Sequence, residues 1–107
     1  MPQPIQITEL PVQDAHNLAS TGAGTLIDIR EPFEWESGSA AGAQRIQMST
    51  LPARYFELPK DQPVLLICAS GNRSRMATQF LSELGYDARS VSGGTAAWAA
   101  AQLPMDA

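Results

Sequence analysis

The chain has 107 residues, 44% of them hydrophobic and 17% charged, which is typical of one soluble globular domain and excludes a disordered protein. Its net charge of -4 and isoelectric point of about 4.7 exclude a general surface for nucleic acid or for an anionic membrane, because either partner needs a basic excess. We therefore expect no nucleic-acid partner and no membrane partner.

The start of the chain and its cysteine content predict the compartment. Residues 1–6 lack the basic start and long apolar stretch of a signal peptide, and no apolar run approaches the roughly 20 residues that cross a bilayer. The single cysteine, Cys68, excludes an internal disulfide, and His16 does not complete a zinc ligand set. We predict a cytoplasmic location and no cofactor or metal.

The first half of the chain predicts two helical segments and two strands. Apolar residues at helical spacing predict an amphipathic helix over residues 11–20, and residues 25–29 predict a buried strand. Pro32 opens a short helical turn. The small residues 38–43 predict a loop, and residues 44–47 predict a brief strand.

The second half continues the same alternation. It predicts a short helix over residues 51–58, a strand at 64–67, a helix from Ser74 to Gly85, a strand at 88–91 and a last helix with Thr95 as its N-cap. The apolar face of the long helix is expected to hold Met76, Ala77, Phe80, Leu81 and Leu84. This alternation predicts an α/β fold with a mainly parallel sheet and helices on both faces. We expect one domain, residues 1–107, with its core at about 7–101.

Cys68 follows an apolar strand and precedes a short polar loop that opens a helix. In open α/β sheets ligands bind at the carboxyl ends of the strands, and the positive end of a helix dipole favours a thiolate there. Four residues separate Cys68 from Arg73. A loop that wraps a phosphate monoester is typically one residue longer, so the shorter ring favours one extra sulfur atom over a phosphoryl group.

Several segments in fixed order resemble those of a single-domain rhodanese, and the likeness extends from about Ile7 to Trp98. The matching segments are Leu26–Ile27–Asp28–Ile29–Arg30–Glu31–Pro32, Phe33–Glu34–Trp35, Gly42–Ala43, Cys68–Ala69–Ser70–Gly71–Asn72–Arg73–Ser74, Leu84–Gly85–Tyr86, and Gly93–Gly94 followed by Trp98.

The resemblance implies a sulfurtransferase of the thiosulfate type. Cys68 would take a sulfane sulfur from thiosulfate or another persulfide donor, hold it as a persulfide, and pass it to cyanide or a thiol. The partners are then a small anionic sulfur donor, a thiophilic acceptor, and in one alternative a protein donor or acceptor. The residues expected to bind substrate through the loop are Ala69, Ser70, Gly71, Asn72, Arg73 and Ser74.

Two of these residues have alternative roles. Arg73 either steadies the anionic donor or braces the loop through carbonyl groups, and Ser74 either caps the helix or contacts the ligand. Away from the loop, Asp28 and Arg30 predict a structural ion pair. The acidic residues after them, Glu31, Glu34 and Glu36, predict a solvated edge.

The chain departs from the family pattern at two places. Relatives commonly carry Gly-His-Ile-Pro-Gly-Ala where this chain has Gly38–Ser39–Ala40–Ala41–Gly42–Ala43, and Ala69 replaces a larger or basic residue. A less positive loop favours a bulkier persulfide or a protein partner. The alternatives to a thiosulfate sulfurtransferase are therefore a protein-to-protein sulfur-relay or docking module and, third, a cysteine phosphatase.

Overall fold

The computed structural model describes residues 7–107. Residues 1–6, in which the sequence predicts no signal peptide, lie outside the described residues. The strands are β1 (Glu9–Leu10), β2 (Thr25–Asp28), β3 (Ser39–Ala40), β4 (Gln44–Arg45), β5 (Val64–Ile67), β6 (Ala88–Val91) and β7 (Met105–Asp106).

Helices separate these strands along the chain, except between β3 and β4. They are α1 (Val12–Ser20), α2 (Pro32–Trp35), α3 (Leu51–Arg54), α4 (Asn72–Glu83) and α5 (Gly94–Ala100), with single 3-10 turns at Met48–Thr50 and Tyr55–Glu57 on either side of α3. None of the helices described is long and apolar enough to cross a membrane.

The main sheet is parallel throughout, in the order β1-β6-β5-β2-β4. Strand β5 lies at its centre, where Leu66 pairs in register with Ile27 of β2 and Ser90 of β6. The predicted α/β fold with a mainly parallel sheet is confirmed. Because all five strands run the same way, their carboxyl ends share one edge, and Cys68 is placed in the middle of that edge.

Apolar side chains of β5 fill the core on both faces of the sheet. Val64 and Leu66 pack on one face with the α3 and α4 side chains, whereas Leu65 and Ile67 pack on the other face with α1 and with Trp98 of α5. All four residues of β5 are inaccessible to solvent. A strand covered on both faces explains why its sequence is continuously apolar rather than alternating.

The prediction that residues 38–43 form only a loop is wrong. Ser39 and Ala40 are buried and form β3, which pairs antiparallel with β7 near the end of the chain. The Asp106 carboxylate also accepts a hydrogen bond from the Gly42 N–H at 2.9 Å. The partner strand lies more than 60 residues away in sequence, so no local pattern could indicate it.

Three predicted positions in the helices are also wrong. Ser74 is not the N-cap of α4, because the helix begins at Asn72 and Gly71 is in the capping position. Thr95 is not the N-cap of α5, because it lies inside that helix. Met76 is 65% exposed, and the buried face of α4 consists of Ser74, Ala77, Thr78 and Leu81.

Candidate active site

The Cys68 sulfur lies at the floor of the cysteine loop, which we define as residues 68–74. The residue is 1% exposed. The backbone N–H of Gly71 points to Sγ at 3.1 Å and that of Ser74 at 3.3 Å, while the Ser74 hydroxyl lies 3.5 Å away. Donors that converge on one sulfur stabilise negative charge there.

Burial and hydrogen bonding have opposite effects on the pKa of Cys68. Burial raises the pKa of the thiol, but hydrogen bonds from the Ser74 hydroxyl and from the backbone N–H groups of Ser74, Gly71 and Ser70 outweigh it, so the net pKa is lowered. A lowered pKa increases the thiolate fraction near neutral pH, and the thiolate is the nucleophilic form of cysteine.

Helix α5 fixes the orientation of the first two peptide groups of the loop. The Cys68 carbonyl accepts the Thr95 N–H at 2.7 Å and the Thr95 hydroxyl at 3.1 Å, and the Ala69 carbonyl accepts the Ala96 N–H at 3.1 Å. In a trans peptide the N–H points away from the C=O, so the N–H groups of Ala69 and Ser70 are directed away from α5.

Two glycines make this arrangement sterically feasible. Gly71 has a φ of +104°, which lets the chain turn its N–H back to the sulfur. Gly94 has a φ of +60°, and a Cβ at this position would overlap the Cys68 carbonyl oxygen and lie 2.7 Å from the Ala69 carbonyl carbon. The loop and α5 therefore approach each other more closely than a side chain at position 94 would allow.

The Arg73 guanidinium forms a two-pronged ion pair with Glu34, the third residue of α2. The nitrogen–oxygen distances are 2.7 and 2.9 Å, and the side chains are 34% and 18% exposed. The hydrogen bond from Arg73 lowers the pKa of Glu34 to about 2. The predicted solvated acidic edge is thus wrong for Glu34, because this carboxylate is committed to the loop.

The predicted ion pair between Asp28 and Arg30 is confirmed. It is buried, with 2.8 Å between Arg30 Nη2 and Asp28 Oδ2. Arg30 also donates to the carbonyls of Glu34 at 3.2 Å and Gly38 at 2.7 Å. The pair therefore holds both ends of the segment that carries Glu34, and so positions the carboxylate that faces Arg73.

The loop residues fall into three groups by what they contact. Gly71 and Ser74 contact the sulfur directly, and Arg73 is paired with Glu34. The side chains of Ser70 and Asn72 are exposed, and Ala69 is half-buried. Exposed and half-buried residues thus form the open side of the loop, which we call the loop mouth: Ala69, Ser70 and Asn72.

Sequence reasoning missed Glu34 and Thr95 as parts of the site. For Glu34 a signal existed: Glu31 and Glu34 form a capping box around Pro32, and this spacing of acids at a proline marks a helix start. Such a start gives Glu34 a fixed position rather than a solvated one. For Thr95 no local signal existed, because its partner is a carbonyl 27 residues away.

Comparison with known sequences finds a matching family model and a similar protein. The Rhodanese-like domain family model matches residues 11–101. A sulfurtransferase of Allochromatium vinosum is 38% identical over 92 residues, which is 85% of this chain and 86% of that protein.

Solved structures share the fold. A rhodanese-related protein of Thermoplasma volcanium superposes with a TM-score of 0.85 at 35% identity, covering 92% of this chain and 97% of that one. A Rhodopseudomonas palustris protein described as a possible tyrosine phosphatase superposes with a TM-score of 0.83 at 26% identity, covering 99% of each chain.

Proposed function

The chain belongs to the rhodanese-like domain family, and from this premise we propose that it is a sulfurtransferase that carries sulfur on Cys68. The observation that carries the proposal is the convergence of the Gly71 and Ser74 N–H groups on Sγ. These donors support a negative charge at the sulfur both before and after it gains a second sulfur atom. A reducing cytoplasmic compartment suits this unpaired thiol.

With thiosulfate as donor, the Cys68 thiolate attacks the outer sulfur. A bond forms between the two sulfurs, the sulfur–sulfur bond of thiosulfate breaks, and its electron pair leaves with sulfite. Cyanide or a thiolate then attacks the outer sulfur of the persulfide, forming thiocyanate or a new persulfide, and Cys68 leaves as a thiolate. No proton moves in the exchange with cyanide, so the reaction needs no general base.

The buried sulfur favours transfer of one atom over transfer of a phosphoryl group. A sulfur–sulfur bond is about 2 Å long, so a persulfide adds a single atom beside the Cys68 sulfur and needs little room in the loop. A phosphoryl group brings three more oxygens, which a Cys-based cradle commonly meets with a free guanidinium. In this chain the Arg73 guanidinium is already paired with Glu34. We therefore place the cysteine phosphatase last.

We propose that Arg73 braces the loop and that the donor binds through backbone N–H groups of residues 69–74. The ion pair with Glu34 supports the bracing role, because it ties the first turn of α4 to α2. The side chains of Ser70 and Asn72 are accessible to a donor at the loop mouth. Within this ring, the N–H groups of Gly71 and Ser74 are the ones that contact the sulfur itself.

The same ion pair favours a second candidate, a sulfur-relay module whose donor and acceptor are proteins. A dianion such as thiosulfate gains most from a cation beside the nucleophile. Here Arg73 is neutralised by Glu34, and Ala69 adds no charge to the loop mouth. A persulfide with a single negative charge, carried on a protein cysteine, depends less on such a cation.

Three activity assays distinguish the thiosulfate sulfurtransferase, the sulfur-relay module and the cysteine phosphatase. Thiocyanate formation from thiosulfate and cyanide, absent in Cys68→Ser, supports the thiosulfate sulfurtransferase. Slow thiocyanate formation together with rapid sulfur uptake from a cysteine desulfurase loaded with persulfide supports the relay. Hydrolysis of an aryl phosphate that disappears in Cys68→Ser would overturn both in favour of a phosphatase.

A further inference from the structure

Two buried hydroxyl groups form a chain behind the Cys68 sulfur. Ser74 of α4 and Ser90 of β6 are both inaccessible to solvent, and their Oγ atoms are 2.7 Å apart. Ser74 Oγ is also 3.1 Å from the Gly71 carbonyl oxygen and 3.5 Å from Cys68 Sγ. The order of contacts is thus Ser90, Ser74, Cys68.

The number of hydroxyl protons limits what Ser74 can do. Ser74 has one hydroxyl proton and three neighbours, namely Ser90 Oγ, the Gly71 carbonyl and Cys68 Sγ. If Ser74 donates to Ser90, its proton is unavailable to the sulfur. If Ser90 donates to Ser74, that proton stays free for the sulfur, and a thiolate is a stronger acceptor than a neutral carbonyl.

We propose that Ser90 is a positioning residue that donates its hydroxyl proton to Ser74 and thereby turns the Ser74 O–H towards the Cys68 thiolate. In the described part of the chain, the Ser90 hydroxyl has its hydrogen-bond contact with Ser74 Oγ. If Ser90 is the donor, its proton bonds to Ser74 and the Ser74 proton bonds to the sulfur, so both hydroxyl protons have an acceptor. The inference extends the proposed function, because the thiolate is the group that attacks the sulfur donor.

The location of Ser90 suits this role. Strand β6 lies beside β5, with Ser90 in register with Leu66, two residues before Cys68. The sheet therefore holds the outer hydroxyl at a fixed distance from the loop. In a buried environment that water does not screen, a hydroxyl that accepts a hydrogen bond becomes a stronger donor. The Ser90 proton therefore strengthens the hydrogen bond from the Ser74 hydroxyl to the sulfur.

A second buried hydroxyl provides a matched control. Thr78 of α4 is also inaccessible to solvent, and its hydroxyl donates to the Ser74 backbone carbonyl at 2.7 Å. This contact is as short as that of Ser90, but it reaches the main chain of Ser74 and not its hydroxyl. Removing either hydroxyl deletes one buried hydrogen bond at Ser74, and only the Ser90 change affects the chain that leads to the sulfur.

Charged groups around the sulfur stay the same in these variants. Arg73 interacts electrostatically with Cys68 and is paired with Glu34, and Asp28 at the end of β2 is paired with Arg30. The residues of α5 carry no titratable side chain. A difference in Cys68 titration between Ser90→Ala and wild type therefore reports on the hydroxyl chain.

The test is a titration of the Cys68 thiolate by its ultraviolet absorbance, with Cys68→Ser as the blank, because Cys68 is too buried for alkylation to report ionisation alone. We expect Ser90→Ala to raise the Cys68 pKa by about 0.5–1 unit, a roughly three- to tenfold loss of thiolate below that pKa. We expect Thr78→Val to leave the Cys68 pKa unchanged while lowering the melting temperature about as much as Ser90→Ala does. We expect Ser90→Thr, which keeps the hydroxyl, to titrate like wild type.

A double-mutant cycle isolates the chain. Once Ser74→Ala has removed the intermediate hydroxyl, adding Ser90→Ala should produce no further rise in the Cys68 pKa. Equal titration of Ser90→Ala and wild type, an equal shift in Thr78→Val, or a full further rise in the double variant would each overturn the proposal. The titration uses no sulfur donor, so its result does not depend on whether the sulfurtransferase assays succeed or fail.

Discussion

The two sides of the cysteine loop hold it by different means. On the buried side, uncharged groups reach the sulfur and its neighbours: the Ser74 hydroxyl, the Gly71 N–H and the N-terminal turn of α5. On the solvent side, the charged pair of Arg73 and Glu34 fixes the start of α4. Neutral donors in a buried site alter the energy of a thiolate strongly because little solvent screens them, whereas a partly exposed ion pair mainly fixes shape.

The largest loss of stability is expected from placing a side chain between α5 and the cysteine loop. Gly94→Ala places a Cβ against the Cys68 and Ala69 carbonyl groups, so we expect the free energy of unfolding to fall by about 3–5 kcal/mol. Gly22→Ala is the control, because its φ is also positive, at +78°, but no atom lies within 4 Å of the added Cβ. It should cost about 1 kcal/mol. Equal costs in denaturant titrations would contradict the close approach.

A smaller loss of stability is expected on the solvent side. Glu34→Gln removes the charge but keeps a side chain that suits the third position of a capping box. The one-third exposure of Arg73 reduces the value of the pair, so we expect a loss of about 1–2 kcal/mol at neutral pH. Glu57→Gln, in the exposed pair with Arg54, should change nothing measurable.

The pH dependence of stability gives the Glu34 prediction a sign. The pKa of Glu34 is about 2 in the folded chain against an ordinary value of 4.5. Its contribution to stability is therefore full above pH 4.5 and is lost as the pH falls towards 2. Over that interval Glu34→Gln should lose less stability than wild type, and parallel curves for the two proteins would contradict the pairing.

On the buried side, Ser74→Ala should alter the chemistry of Cys68. The variant removes the hydroxyl that lowers the pKa of Cys68, so we expect that pKa to rise by roughly one unit and sulfur uptake at a pH below that pKa to slow by about tenfold. The Glu34→Gln variant serves as the comparison, because it leaves the Arg73 guanidinium uncompensated, which should lower the Cys68 pKa rather than raise it. A rise in the Cys68 pKa of Glu34→Gln as large as that of Ser74→Ala would contradict this difference between the two sides.

The smallest effect is expected at the loop mouth. Ala69→Arg adds a cation at the loop mouth, and the nearby carboxylate of Glu34 is already paired with Arg73. Because the new cation is free to attract an anion, we expect the KM for thiosulfate to fall roughly two- to fivefold with kcat little changed. Ala69→Gln is the uncharged control of similar length, and added salt should abolish the gain. A gain that Ala69→Gln shares would mean that side-chain bulk, not charge, is responsible.

Local sequence patterns predicted the elements that carry the site, and missed the contacts that shape it. The continuous apolar run 64–67 and the polar segment after it were enough to place Cys68 at the carboxyl end of a buried strand. The pairing of β3 with β7, the contact of Thr95 with the Cys68 carbonyl and the pairing of Glu34 with Arg73 join residues far apart in sequence. Such contacts depend on how the chain folds in three dimensions, and they leave no pattern in the spacing of neighbouring residues.

The most direct test of the central claim is the intact mass of the chain after exposure to thiosulfate and, separately, to a cysteine persulfide. Sulfur carriage on Cys68 predicts the gain of one sulfur atom from at least one donor, its removal by cyanide, and no gain in Cys68→Ser. An unchanged mass with both donors, or a gain that persists in Cys68→Ser, would contradict the account.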